Sequence, residues 1–429
     1  MTSWDNLQKL RRKLREEGTG TTARRLGHRA AQWLDSRVDA ESLAFPLLTE
    51  DIRWENGRTE TLTRPQRVPV APDGAAGLHL GWVCVPPALG SGGHTTLFRM
   101  VRMAERLGYR CTLFLYDTTG TSVDHHAAVI RRGWPDLRAD VKSARPAISG
   151  VDAVVAGSWE TAHVVVSRSP ESIPKFYFIQ DYEPFFYARG PLWTLAEHSY
   201  HLGLTTIALG QMVAGSLRTF AEVEPHLVVP FGCDTDTYRL RTGDEEPRAR
   251  EGIVFYAKPG AARRGFSLGR DALRHFHREH PDVPIHAVGD TPSGSLGFDV
   301  ISHGSLAPSD LNELYNSVQA GLALSFTNIS LVAEEMLAAG VVPVVNESAM
   351  ARADLPQSGP VWAIPTPQGI SDSLWTTVST PRSDADIRFL SQNARQGWDA
   401  TASRVVEFIA GSVDPSVRPL LCASVGGDR

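Results

Sequence analysis

Three cations lie close together in the segment YAKPGAARRGF (Tyr256–Phe266), where Lys258, Arg263 and Arg264 follow an apolar run that reads as a strand. Cations fixed at a strand end can hold a diphosphate and stabilise the negative charge that gathers on it as it leaves. The stretch from Gln319 to Glu347 combines an apolar run, the polar residues Thr327, Asn328 and Ser330, the acids Glu334 and Glu335, Gly340 and a second apolar run. This is a strand–loop–helix–strand unit. Its polar side chains are placed to cap a helix start, and Gly340 is placed as the residue that closes the helix. In an open α/β sheet, ligands bind at the carboxyl ends of strands, and a helix N-terminus there attracts phosphate. At least one of the two glutamates therefore faces a ligand held by the loop.

Two more segments have chemical potential. The Gly-rich loop Gly90–Thr96 follows a strand and opens a helix, so backbone N–H groups near Gly92 and Gly93 can approach a ligand. It is not G-x-G-x-x-G and lacks the acidic residue of a dinucleotide fingerprint, which argues against a dehydrogenase. FIQDYEPFFYARG (Phe178–Gly190) places Gln180, Asp181, Tyr182 and Glu183 at a strand end, ahead of aromatics suited to sugar faces. Trp159, Glu160, His94 and His163 are further candidates that read equally well as structural residues. Asp234-Thr235-Asp236 has the form of a metal-binding D-x-D, but its place in a crossing segment between domains favours capping of the next helix. No G-x-S-x-G nucleophile elbow is present.

The elements that must position these groups alternate. Leu78–Pro87, Cys111–Asp117, Val151–Trp159 and Lys175–Asp181 read as strands with helices between them, the first helix carrying Leu97, Met100, Val101, Ala104 and Leu107 on one face. TIALGQMVAGSLRTF adds a strand and a helix, and Leu227–Leu240 reads as a crossing between domains. The pattern restarts at Gly252–Gly260 and continues through Ile285–Asp290, a short segment at Val300–Gly304, the unit around Glu335 and a helix near Asp384–Gln396. Strands alternating with helices predict parallel, right-handed doubly wound sheets.

The chain has 429 residues and is 42% hydrophobic, enough for two core-bearing domains. A net charge of −5 excludes a general nucleic-acid binder, which needs a basic face. Cys84, Cys111, Cys233 and Cys422 are scattered without zinc spacing and read as small buried residues of a reducing compartment. No apolar run reaches 18 residues, and charges fill the N-terminus where a signal peptide would be apolar, so a cytoplasmic location is expected. Trp4, Leu7, Leu10 and Leu14 recur at helical spacing among Lys9, Arg11, Arg12, Lys13 and Arg15. This basic helix reads either as an anionic-membrane contact at the inner face or as a solvated helix packing one leucine stripe.

Glu335-Met336, Gly340, Pro343, Val344 and Val345 resemble the signature of GT-B retaining glycosyltransferases of family 4, a glutamate-bearing helix before a G-x-P-V-V strand. The family carries two glutamates eight positions apart. Glu335 takes the second place, which faces the nucleotide ribose, and Thr327 stands in the first, which faces the donor sugar. The Q-D-x-E-P segment and the YAKP…RRG loop are also similar to WsaF-like bacterial rhamnosyltransferases. The resemblance implies a GT-B fold with two Rossmann-like domains facing across a cleft. Its parts are a basic helical extension (1–45), an acceptor-side domain (46–232), a nucleotide-sugar-binding domain (233–398) and a C-terminal helix crossing back (399–429).

The implied activity is transfer of a sugar, L-rhamnose from dTDP-rhamnose being one candidate, to a glycan or lipid-linked glycan hydroxyl in polysaccharide biosynthesis. No metal or cofactor is expected. The residues implied are Lys258, Arg264 and Asp181 for catalysis, and Gly92, Gly93, Tyr256, Arg263, Thr327, Asn328, Ile329, Ser330 and Glu335 for the donor. His94, Trp159, Gln180 and Glu183 are assigned to the acceptor side. A nucleotide-sugar epimerase or a non-catalytic glycan-binding protein would share the same cleft.

Overall fold

The computed structural model describes residues 45–52, 77–241, 250–289, 296–328, 331–356, 358–380, 382–392, 394 and 397–414. The basic helices expected before residue 45, and Cys422, lie outside these. The described residues 45–52 belong to a unit separate from the rest, in which Thr49–Asp51 makes one 3-10 turn.

The larger unit begins with β1 (His79–Cys84), α1 (Gly92–Arg106), β2 (Arg110–Leu115), α2 (Val123–Gly133) and β3 (Asp140–Ser143). It continues through β4 (Ala153–Ala156), α3 (Trp159–Arg168), β5 (Lys175–Ile179), α4 (Pro191–His198), β6 (Thr205–Leu209), α5 (Gln211–Phe220) and β7 (Leu227–Val229). These seven strands form one parallel sheet in the order β3-β2-β1-β4-β5-β6-β7. Past the crossing segment come β8 (Ile253–Ala257), α6 (Phe266–Glu279), β9 (Ile285–Gly289), β10 (Ile301–Gly304), α7 (Pro308–Ser317) and β11 (Ala320–Leu322). Then follow α8 (Leu331–Ala338), β12 (Val342–Asn346), α9 (Ala349–Asp354), β13 (Val361–Ala363), α10 (Pro367–Val378), α11 (Asp384–Gln392) and α12 (Asp399–Val413). The second sheet is also parallel, in the order β10-β9-β8-β11-β12-β13.

The strands are apolar on both faces because helices cover both. From Leu80 to Cys84 every residue of β1 is buried, as is every residue of β4 and β12. On α1, Leu97, Met100, Val101 and Ala104 are buried at i, i+3, i+4 and i+7, the stripe expected of a helix lying on a sheet. Leu97, Met100 and Val101 each contribute about 1.5–3 kcal/mol through burial.

Three elements differ from the sequence reading. The helix expected from Leu97 starts at Gly92, so the Gly-rich loop is already helical from Gly92 to Thr96. The polar edge strand β3 lacks the apolar run that would have marked it. In the crossing segment no helix follows Asp234; its carbonyl accepts from Thr237 and Tyr238 in a turn, while its carboxylate turns to Arg99. Gly340 does close α8: its φ is +77°, and Val341 N–H donates to Met336 O at 2.8 Å.

The last helix, α12, lies against the first sheet. Thr401 Oγ1 donates to Pro230 O at 2.9 Å, and Phe408 meets the ring of Phe176 edge-on. A second tie runs from α9, where the buried Asp354 carboxylate accepts the Gln211 and Met212 N–H groups at 2.8 Å each, capping α5. Among the described residues no helix is long and apolar enough to cross a membrane.

Candidate functional site

In each sheet the winding direction reverses between two adjacent central strands, β1 and β4 in the first and β8 and β11 in the second. Loops leaving such strands diverge and open a crevice at their carboxyl ends. Nearly every candidate named from the sequence lies in or next to these loops. Gly92, Gly93 and His94 follow β1, Trp159 follows β4, Lys258–Arg264 follow β8, and Thr327 and Asn328 follow β11. Gln180–Glu183 follow β5, the neighbour of β4.

Arg264 is the meeting point. It ends a 3-10 turn (Ala262–Arg264), and Gly265, at φ +63°, reverses the chain into α6. Its Nη1 donates to Ser325 Oγ at 2.6 Å and its Nη2 to Asn328 Oδ1 at 3.2 Å. Asn328 in turn donates from Nδ2 to Gln180 O at 3.0 Å, and Thr327 Oγ1 donates to Asp181 Oδ2 at 2.9 Å. Thus Thr327 and Asn328, expected to cap α8, instead clasp the end of a strand in the other sheet. Asp181 is buried, with Oδ1 accepting the Tyr182 N–H. Burial pushes its carboxyl up to about 6, against the opposing pull of Arg264 and the Thr327 hydroxyl. Burial also lowers Arg264 to about 10, which leaves it charged at neutral pH. Arg263, the adjacent residue, points elsewhere: its guanidinium stacks on Phe186 at 4.5 Å. Lys258 is exposed at the end of β8 and Tyr256 is half-buried within it. Ile329 and Ser330 lie outside the described residues.

The two glutamates of α8 separate, as neighbours about 100° apart on a helix must. Glu334 is fully buried, whereas Glu335 keeps partial exposure. Burial raises Glu335 to about 7, with Arg99 pulling it down and Asp234 pushing it up. Arg99, on α1, was not singled out from the sequence. Its Nη2 lies 3.5 Å from Asp234 Oδ2, and its guanidinium sits 4.9 Å from the Trp398 ring centre. The signal available was the helical spacing of Arg99, Arg102 and Arg106, which reads as ordinary solvated charge. These arginines border a groove of about 700 Å³ that also involves Asp234, Asp236 and Trp398. Among the described residues no three His, Cys, Asp or Glu side chains converge as metal ligands would.

On the first sheet, α1 opens toward the crevice. Ser91 does not cap it, because its hydroxyl bonds His94 Nδ1 at 2.8 Å, while His94 Nε2–H donates to Val85 O at 2.9 Å. Burial lowers the His94 pKa, so the ring is a neutral brace for the loop. A Cβ at Gly92 would meet nothing within 4 Å, and one at Gly93 only Gln180 Oε1 at 3.9 Å, so a ligand can approach the helix N-terminus. Trp159 and Glu183, assigned to the acceptor side, are 1% and 4% exposed. The Trp159 indole donates to Tyr187 OH at 3.0 Å, and its backbone N–H donates to the Glu183 carboxylate. Both are core residues, and burial with the nearby Glu160 holds Glu183 well above the usual carboxylate range. His163 is likewise fully buried.

Two facing doubly wound parallel sheets, with loops from both meeting at their carboxyl ends, define a GT-B fold. Residues 251–374 match the family described as WsaF, C-terminal domain. The O-antigen biosynthesis protein RfbC of Myxococcus xanthus is 28% identical over 416 residues, covering 91% of this chain and 32% of that protein. The chain therefore spans about a third of that relative's length. HepE from Anabaena, solved with UDP and glucose, superposes with a TM-score of 0.59 at 15% identity, covering 78% of this chain and 100% of that one. WaaG, a glycosyltransferase involved in lipopolysaccharide biosynthesis, gives a TM-score of 0.53 at 13% identity, with 77% and 100% coverage. At these identities the two structures establish the fold.

Proposed function

We propose that this chain is a glycosyltransferase of O-antigen or related polysaccharide assembly, moving a sugar from a nucleoside diphosphate to a glycan hydroxyl with retention at the anomeric carbon. The observation that carries the reading is the Arg264 cluster. A charged guanidinium, buried by its surroundings and fixed by Ser325 and Asn328, stands where loops from both sheets meet beside the Asp181 carboxylate. As the bond from sugar to diphosphate breaks, negative charge collects on the leaving group and positive charge on the sugar ring. Arg264, Lys258 and the open N-terminus of α1 are suited to the first, and ionised Asp181 to the second. A cation already fixed in a low-dielectric site stabilises the transition state without reorganising. Glu335, kept partly accessible on α8, is assigned to the nucleotide ribose. The donor we propose is L-rhamnose carried on dTDP, the sugar implied by the resemblance of the Q-D-x-E-P and YAKP…RRG segments to WsaF-like rhamnosyltransferases.

The test is a donor panel including dTDP-L-rhamnose and UDP-glucose, read first by thermal shift. A donor at a hundred times its Kd should stabilise the fold by about 2.7 kcal/mol. The stabilising donor is then incubated with lipid-linked glycans in excess EDTA. Transfer with retained anomeric configuration is expected. Release of free nucleotide and a rearranged sugar without acceptor would replace this reading by epimerase chemistry. No stabilisation by any nucleotide sugar would reject it.

A further inference from the structure

Phe186 and Phe326 are 38% and 43% exposed although both are large apolar rings, and they come from different sheets. Phe186 ends the 3-10 turn Glu183–Phe186 beyond β5, and Phe326 lies in the loop after β11. Arg263 connects them. Its guanidinium stacks on the Phe186 ring at 4.5 Å, and its backbone carbonyl accepts the Phe326 N–H at 2.9 Å. The Phe326 ring occupies the space that a side chain at position 265 would need: a Cβ built on Gly265 would lie 2.7 Å from its Cε2. Both rings are thus held in place rather than loosely exposed. Arg263 is itself only partly buried, and a guanidinium carries several N–H donors around its plane. One residue on, Thr327 bonds Asp181, so the rings stand at the edge of the proposed reaction centre.

We propose that Phe186 and Phe326, with Arg263 between them, form the platform on which a pyranose ring of the acceptor glycan lies. The proposal rests on the transferase reading for the identity of its ligand. A pyranose presents a face of C–H bonds whose positive hydrogens match the negative face of an aromatic ring, while its hydroxyls need donors and acceptors at the rim. Exposed aromatics beside a partly exposed guanidinium supply both. A nucleotide base could also stack on aromatic rings, and the experiment separates the two.

Saturation-transfer NMR on the full chain with the methyl pyranosides of glucose, mannose and rhamnose should show ring-proton signals for at least one glycoside. Phe186→Ala and Phe326→Ala should each weaken that glycoside by roughly three- to tenfold. Phe186→Trp, which keeps an aromatic face, should retain it, and UDP and dTDP affinity by calorimetry should stay unchanged in all three variants. The proposal fails if no glycoside binds the unmodified chain, if the alanine variants bind as it does, or if nucleotide affinity falls in parallel. None of these measurements uses a nucleotide sugar. Failure of the transfer assay would therefore sink the transferase reading and leave glycoside binding in place, while failure of glycoside binding would leave transfer intact.

Discussion

Asp181→Asn should make the protein more stable and less active. The Asp181 carboxyl is 4% exposed and titrates at about 6 instead of its ordinary 3.8, chiefly because burial disfavours its charged form. A folded-state pKa above the unfolded one means that the group's stability contribution is fully present below 3.8 and is lost as pH rises through 6. At 1.36 kcal/mol per unit, ionised Asp181 costs about 3 kcal/mol at pH 8, of which about 2 develops between pH 4.5 and pH 8. Asparagine keeps the shape and still accepts the Tyr182 N–H, but carries no charge. In urea denaturation, the unmodified chain should therefore lose about 2 kcal/mol more than the variant on going from pH 4.5 to pH 8. Turnover of the variant should fall by roughly 10²-fold, because the lost charge is the one proposed to face the developing positive sugar. Parallel pH dependence in the two proteins, or an asparagine variant less stable at pH 8, would refute the reasoning.

Glu335→Gln should weaken nucleoside diphosphate binding by roughly tenfold, the loss of one hydrogen bond to a charged group, and calorimetry at pH 8 measures it. Because burial lifts Glu335 to about 7, affinity in the unmodified chain should rise as pH climbs through that value, and a flat profile would exclude the ionised carboxylate from binding. Glu334→Gln, at a fully buried position, should change the melting temperature and leave affinity alone. Arg264→Ala and Lys258→Ala should each reduce turnover by roughly 10²- to 10³-fold. Only Arg264→Ala should also lower the melting temperature, since it strips partners from Ser325 and Asn328; normal turnover in either variant would remove that residue from the mechanism.

The alternation of apolar strands with helices, each with its own stripe, determined two parallel sheets from local periodicity alone, because burial on both faces leaves a run of Val, Ile and Phe that nothing else explains. Gly340 was legible for a similar reason: a helix of fixed length must end, and a left-handed residue ends it. Segments with weak local signals were not legible. The polar edge strand β3 takes its structure from β2, and α1 begins at two glycines whose side-chain positions are almost unpacked. At the site, the sequence placed Lys258, Arg264, Asp181 and Thr327 in strand-end loops, since that is a property of each strand by itself. It could not say that Thr327 would bond Asp181 across 146 positions, that Arg263 would stack on Phe186 while Arg264 bonds Ser325 and Asn328, or that Arg99 would join Asp234 and Glu335. Trp159 and Glu183 show the same boundary from the other side: residue type suggested a sugar-facing surface, but burial depends on what the rest of the chain lays over a residue. The types of group available and the strand ends that deliver them are local properties of the chain. Which groups meet, and which are exposed to a ligand, is decided by how two sheets distant in sequence pack against each other.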